Sequence, residues 1–251
     1  MLGWADRHLQ CLKTIQAAFL ATQPYQLIKG YDESTREQLV YVRVVNPPPD
    51  DLVLQIGDTL HSMRVALDYL AFSIATRHAP TFAENTPRAI AFPICGNIAD
   101  WPGFNGKLRQ WASIESIAAF EALQPYHRRH APKTEPLLVL DGLDNPHKHR
   151  RLLAAGSALT RNALHVVHDP YGSLDIRNLS TRNGPFENGA EVIRFRLSGP
   201  LDPDAHVEFR VDFGVAFAKK GPAAGAEVVG ELERMRDHIL DDVFPALEPF
   251  V

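Results

Sequence analysis

Apolar residues Trp4, Cys11, Leu12, Ile15 and Phe19 recur at helical spacing, which predicts an amphipathic helix at the start of the chain. Tyr25 to Gly30 and Gln38 to Val45 then read as two strands around the polar turn Tyr31-Asp32-Glu33-Ser34-Thr35, with Asn46-Pro47-Pro48-Pro49 ending the second. That is a hairpin. Asp50 or Asp51 caps a long helix running to about His78 and stopped by Pro80. Residues 80 to 136 carry Pro80, Pro87, Pro93, Pro102, Pro125, Pro132 and Pro136, with a helical stretch at about Lys107 to Leu123 between them. This predicts an irregular, proline-rich covering segment.

A helical pair follows, Glu135 to Leu143 and Pro146 to Ala155, broken at Asn145-Pro146 because the proline ring disfavours a helical residue before it. From Asn162 to Phe217 the period changes. Val207, Phe209, Val211, Phe213 and Val215 alternate with Glu208, Arg210, Asp212 and Gly214, and Ile193, Phe195 and Leu197 alternate with Arg194 and Arg196. Alternation of this kind marks half-buried antiparallel strands whose arginines face solvent. Leu164 to His168 and Ser173 to Ile176 flank Asp169-Pro170-Tyr171-Gly172 as a further hairpin, and a last helix spans about Ala226 to Val243. Strands come from both ends of the chain, so the reading is one α+β domain over residues 1–251, a helical layer packed on an antiparallel sheet of about six strands.

A helical wheel refines the long helix. Ile56, Leu60, Met63, Leu67, Leu70 and Ile74 fall together within about 80°, a core stripe, while Gln55, Thr59, Ser62, Tyr69 and Ser73 fall on the opposite, wetter side. His61, Arg64 and Asp68 share one flank with Gly57, Ala71 and Ala75. A partly buried flank must pair its charges, because burying one alone costs several kcal/mol. Arg64 and Asp68 are i, i+4, and Asp58 is i, i+3 from His61, where it could hold the imidazole in one tautomer. Gly57 leaves room beside them for a ligand or a backbone.

The second constellation is Leu143-Asp144-Asn145-Pro146-His147-Lys148-His149-Arg150-Arg151. Proline suits a first helical position, so Asn145 reads as an N-cap and His147, Lys148 and His149 as a first turn. Cations are disfavoured there, because the N-terminus of a helix is already positive. Asp58, Asp68, Asp141 or Asp144 can neutralise them internally, or a bound phosphate or carboxylate can do so from outside. His127-Arg128-Arg129-His130 adds a basic run, and Tyr126 offers a hydroxyl.

The segments Ile56 to Ala71, Phe92-Pro-Ile94, Leu123-Gln-Pro-Tyr126 and Leu143 to Arg150 resemble a group of uncharacterised bacterial proteins over roughly residues 25 to 155. That resemblance implies one shared site and no particular chemistry. A distant similarity is to HEPN-type helical ribonucleases, which pair an Arg with a nearby His; the match here, Arg161 to His168, falls on a predicted strand.

Composition narrows the function classes. With 251 residues, 45% hydrophobic and 22% charged, the chain can bury a core without staples. A net charge of −4 disfavours a general nucleic-acid coat. Cys11 and Cys95 give no disulfide framework, which fits a reducing cytoplasm, and no apolar run reaches membrane-span length. The N-terminal segment carries charges where a signal peptide needs an apolar run. Cys95 and Ser62 lack a base that the sequence reveals, and no nucleophile elbow, phosphate loop or dinucleotide fingerprint is present.

The leading expectation is a metal-independent hydrolase or phosphodiesterase acting on an anionic substrate, a small molecule or RNA, with no cofactor. His61 and His149 serve as general acid and base, and Asp68 orients the cluster. Arg64, Lys148, Arg150, Asn145, Tyr126 and Asp58 bind substrate. One alternative is a non-catalytic binding or structural protein. Another is a metal-dependent hydrolase or oxygenase with Asp58, His61, His147 and His149 as ligands, from the Asp-x-x-His spacing at 58–61 and 144–147. Oligomeric state stays open, a homo-oligomer included.

Overall fold

A computed structural model describes residues 2–127, 134–148, 156–168, 175–182, 184–198, 206–217 and 221–251, with 2, 145–148, 156–168, 175, 184 and 206–210 described by their backbone. The chain opens with helix α1 (Leu2–Ala21), the hairpin β1 (Tyr25–Asp32) and β2 (Glu37–Val44), and the long helix α2 (Asp50–His78). Short helices α3 (Pro80–Asn85), α4 (Trp101–Leu108) and α5 (Ile114–Ala122) follow, then α6 (Pro136–Lys148). Five strands, β3 (Gly156–His168), β4 (Asp175–Thr181), β5 (Gly184–Phe186), β6 (Ala190–Ser198) and β7 (His206–Ala216), precede the closing helices α7 (Val228–His238) and α8 (Phe244–Leu247). A π-helical turn, Ile239–Val243, joins the last two. The architecture is α+β. Among the described residues no helix is long and apolar enough to cross a membrane.

The strands form two antiparallel sheets rather than one. β1-β2-β6-β4 make a four-stranded sheet and β5-β3-β7 a three-stranded one. The predicted hairpin of Leu164–His168 with Ser173–Ile176 is not seen among the described residues, which leave out 169–174: β3 pairs with β7 and β5, and β4 with β6. Turn chemistry suggested a local partner, but His165↔Glu208 and Leu164↔Phe209 belong to a long β3–β7 ladder that offers more pairing than a short hairpin. Between β2 and β6 the register shifts at Val40/Tyr41, so Val192 and Ile193 are consecutive yet both buried. The two sheets meet at Tyr25, whose ring lies 4.8 Å from Phe213 of β7 and 5.4 Å from Phe186 of β5.

Four further expectations are corrected. The stretch at Lys107 to Leu123 is two helices, because Ser113 accepts a hydrogen bond from the Ser116 N–H at 3.1 Å and starts α5 afresh. Helix α2 has Pro49 at its N-cap position with no side-chain cap, and Asp50 and Asp51 sit in its first turn, where they face the positive end of the helix. Thr59 is fully buried, its hydroxyl donating to the Gln55 carbonyl at 2.7 Å, because α1 covers the side of α2 that the wheel left wet.

The fourth correction concerns the basic segment. α6 runs unbroken across Asn145-Pro146. A proline inside a helix costs about 3 kcal/mol, whereas Leu137, Val139, Leu140 and Leu143 are all buried, at about 1.5–3 kcal/mol each. Packing against α2 and α7 outweighs the local preference. Asn145 is thus no N-cap, and positions 147 and 148 lie in the last described turn of a helix. The electrostatic argument for an external anion there no longer holds, since it required a helix to begin at Pro146.

Buried apolar side chains from the helices and both sheets form one continuous core, with Leu52, Ile56, Leu60, Met63 and Leu67 of α2 at its centre. The covering segment presses its own aromatic residues into that core: Phe92 and Trp111 both meet the Phe120 ring edge-on, at 5.5 and 5.9 Å.

Candidate functional site

Helices α2 and α6 pack antiparallel along the polar flank, and two rungs of charge cross between them. His61 Nδ1 lies 3.3 Å from Asp144 Oδ1. Three residues further along α2 and three back along α6, Arg64 Nη1 lies 3.5 Å from Asp141 Oδ1. Both carboxylates were candidates for internal neutralisation, and both sit on the α2-facing side of an otherwise apolar helix. Asp144 is 5% exposed while the His61 ring is 56% exposed. An ionised carboxylate can only accept, so the bond requires the proton on Nδ1 and leaves Nε2 of a neutral ring as the free acceptor.

Arg64 and Asp68 form the expected i, i+4 pair, with Nη2 to Oδ1 at 3.0 Å and Nε to Oδ2 at 3.4 Å. The pair then grips one residue of the covering segment from both sides. Arg64 Nη2 donates to the Phe92 carbonyl at 2.9 Å, and the Phe92 N–H donates to Asp68 Oδ1 at 2.9 Å. Gln124 does the same one step on: its Oε1 accepts from the Cys95 N–H at 2.8 Å, and its Nε2 donates to the Pro93 and Phe120 carbonyls at 3.2 and 2.7 Å. The backbone of Phe92-Pro93-Ile94-Cys95 is thus clamped by three side chains, Arg64, Asp68 and Gln124.

Other expected residues fall elsewhere. Asp58 is exposed, and the carboxylate at His61 Nδ1 is Asp144 instead. Gly57 is buried and opens no solvent-facing gap. The Tyr126 hydroxyl donates to Glu121 Oε1 at 3.1 Å, and burial, with that carboxylate beside it, pushes its pKa up to about 12. His127 is exposed with Nε2 at 3.0 Å from the Glu121 carbonyl. Cys95 is buried, its thiol donating to the Asn97 carbonyl at 3.0 Å, and burial raises its pKa. That is an inert thiol rather than a nucleophile.

His149, Arg150 and Arg128 to His130 lie outside the described residues, and Asn145, His147 and Lys148 are described by backbone position only. Among the described residues no group of three His, Cys, Asp or Glu side chains gathers as a metal site would need. The Arg161 to His168 run lies on strand β3, where a helical nuclease motif has no counterpart. Arg194 and Arg196 are not simply solvent-facing: Arg194 bonds Glu191 at 2.8 Å and Glu37 at 3.0 Å and lies 3.5 Å from Asp32.

Beside the Arg64–Asp141 rung a cleft of about 260 Å³ opens between α2, α4, α6 and the clamped segment. Phe92, Phe104 and Trp111 wall it, and Arg64, Lys107 and Asp141 supply its charge. Asp141 is one of the four acids that the sequence offers for neutralising the basic segment, whereas Lys107 stands out there only as the start of a helical stretch. No protein-family model, no curated protein and no solved structure matches the chain.

Proposed function

We propose that the chain is a metal-independent enzyme acting on a small anionic, phosphate-bearing substrate, with His61 as the proton-transferring group and Asp144 as the residue that fixes its ring. One observation carries this reading: an imidazole more than half exposed has its Nδ1 held by a nearly buried carboxylate, so Nε2 faces solvent in a defined tautomer. At 3.3 Å the bond is longer than the roughly 2.7–2.9 Å of a tight charge-assisted pair, and proton uptake at Nε2 would strengthen it. The basic residues that follow Asp144 in sequence, Lys148 and Arg150, are the proposed holders of negative charge. Arg64 is not among them, since Asp68, Phe92 and Asp141 occupy its guanidinium.

A second reading, that the flank is architectural, is favoured by the grip of Arg64 and Asp68 on the Phe92 backbone. The two readings separate at His61. Thermal-shift titration with inorganic phosphate, mononucleotides and short RNA, with chelator present, should raise the melting temperature of the wild type. His61→Ala should lose that response while its ligand-free melting temperature stays the same. An absent response in the wild type, or an unchanged one in His61→Ala, refutes the enzymatic reading.

A further inference from the structure

The cleft between α2, α4 and α6 has a charge arrangement that the His61–Asp144 pair does not use. Arg64 is neutralised by Asp68, with which it shares two hydrogen bonds. Two charges then remain. Lys107 reaches over the Phe104 ring at 6.0 Å and has no carboxylate within ion-pair distance among the described residues. Asp141 meets Arg64 through Oδ1 alone, and its second oxygen has no partner among the described residues.

Between these charges the walls are aromatic. Phe92 and Trp111 are almost wholly buried and both lock against Phe120, so the floor is fixed by packing. The Phe92 wall is also fixed by hydrogen bonding, through Asp68 and Arg64. A cavity of about 260 Å³ lies just under the range for drug-sized ligands, which sets the occupant as a small molecule. A site already ordered before binding loses less on ligand capture.

One free cation, one free carboxylate oxygen and an apolar floor complement a molecule with the reverse arrangement. We infer that this cleft binds a small zwitterion of the amino-acid type with an apolar or aromatic side chain. Its carboxylate pairs with Lys107, its ammonium donates to Asp141, and its side chain lies against Phe104 and Trp111. A polyanion would meet Asp141 unfavourably, so this site is distinct in its preference from the phosphate-bearing substrate proposed above. It stands whether or not His61 is catalytic.

The test is calorimetric titration of the full chain with phenylalanine, with phenethylamine, which lacks the carboxylate, and with hydrocinnamate, which lacks the ammonium. Phenylalanine should bind most tightly. Lys107→Gln, at an exposed position that leaves the fold intact, should weaken phenylalanine about tenfold or more and leave phenethylamine unchanged. Asp141→Asn should weaken phenylalanine similarly and leave hydrocinnamate unchanged. No saturable phenylalanine binding up to its solubility, or equal weakening of all three probes by Lys107→Gln, overturns the inference.

Discussion

Replacing Arg64 by Met tests whether the polar flank is architecture at this residue. The change removes three groups of contacts and keeps the apolar stem. Phe92 is 1% exposed, so losing the guanidinium strands its carbonyl away from water, at about 1–3 kcal/mol. Asp68 and Asp141 are 36% and 39% exposed, so water can reach them once Arg64 is gone; each lost pair then counts at the surface scale of about 0–1 kcal/mol. The sum is about 1–5 kcal/mol, a large share of the roughly 5–15 kcal/mol that holds a domain folded. Asp68→Asn keeps an oxygen for the Phe92 N–H and should cost less. Urea denaturation followed by far-ultraviolet circular dichroism measures both variants, with the slope of the transition expected to stay unchanged. Stability of Arg64→Met within about 0.5 kcal/mol of wild type would refute the reasoning, and would return Arg64 to the list of groups free to hold a substrate.

Three further outcomes follow from the same contacts. Gln124→Leu leaves the buried Cys95 N–H and Pro93 carbonyl without partners and should lower stability by about 2–4 kcal/mol in the same urea assay, well beyond the effect of Tyr126→Phe. Gly142→Ala would set a Cβ 2.5 Å from Pro222 Cγ, so α6 or the Pro222 loop must move; a melting temperature equal to wild type would show that the loop yields freely. Acid unfolding should report the hairpin end. Hydrogen bonds from Ser34 and Thr35 lower the Asp32 pKa from the ordinary value near 4 to about 2, and bonds from Arg194 lower those of Glu37 and Glu191. Depressed carboxylates stabilise the fold fully above their ordinary range, and that contribution is lost as pH falls through the folded values, from about 4.5 toward 2. Arg194→Gln should flatten that acid limb; an unaltered slope of stability against pH would show that the network contributes nothing there.

Much of the fold is legible along the chain, and its failures share a cause. The β1–β2 hairpin and α2 follow from local alternation, proline stops and a core stripe, all set within a few residues. The break at Ser113, the passage of α6 through Pro146, and the assignment of β3 and β4 to different sheets depend on what packs from far away. The site divides in the same way. Arg64–Asp68 is an i, i+4 pair and could be read directly. Asp144 is 83 residues from His61, so helical spacing pointed to Asp58, a neighbour on the same helix that stays in solvent. Gln124 gave no sign of its role, because an amide that clamps two backbone groups looks in sequence like any surface glutamine.

The paired crossings between α2 and α6 also decide how the two helices can dock. Sliding α6 by one turn toward the start of α2 would set Asp141 against His61, Leu138 against Arg64, and Asp144 against Asp58. An aliphatic side chain would then face a desolvated guanidinium, and two acids would confront one another. Apolar packing tolerates such slippage, but Arg64 and Asp144 penalise it. The flank therefore acts as an alignment key for the helical layer, the use for which inward-facing charge is best attested, and misregister becomes the failure that its loss would bring.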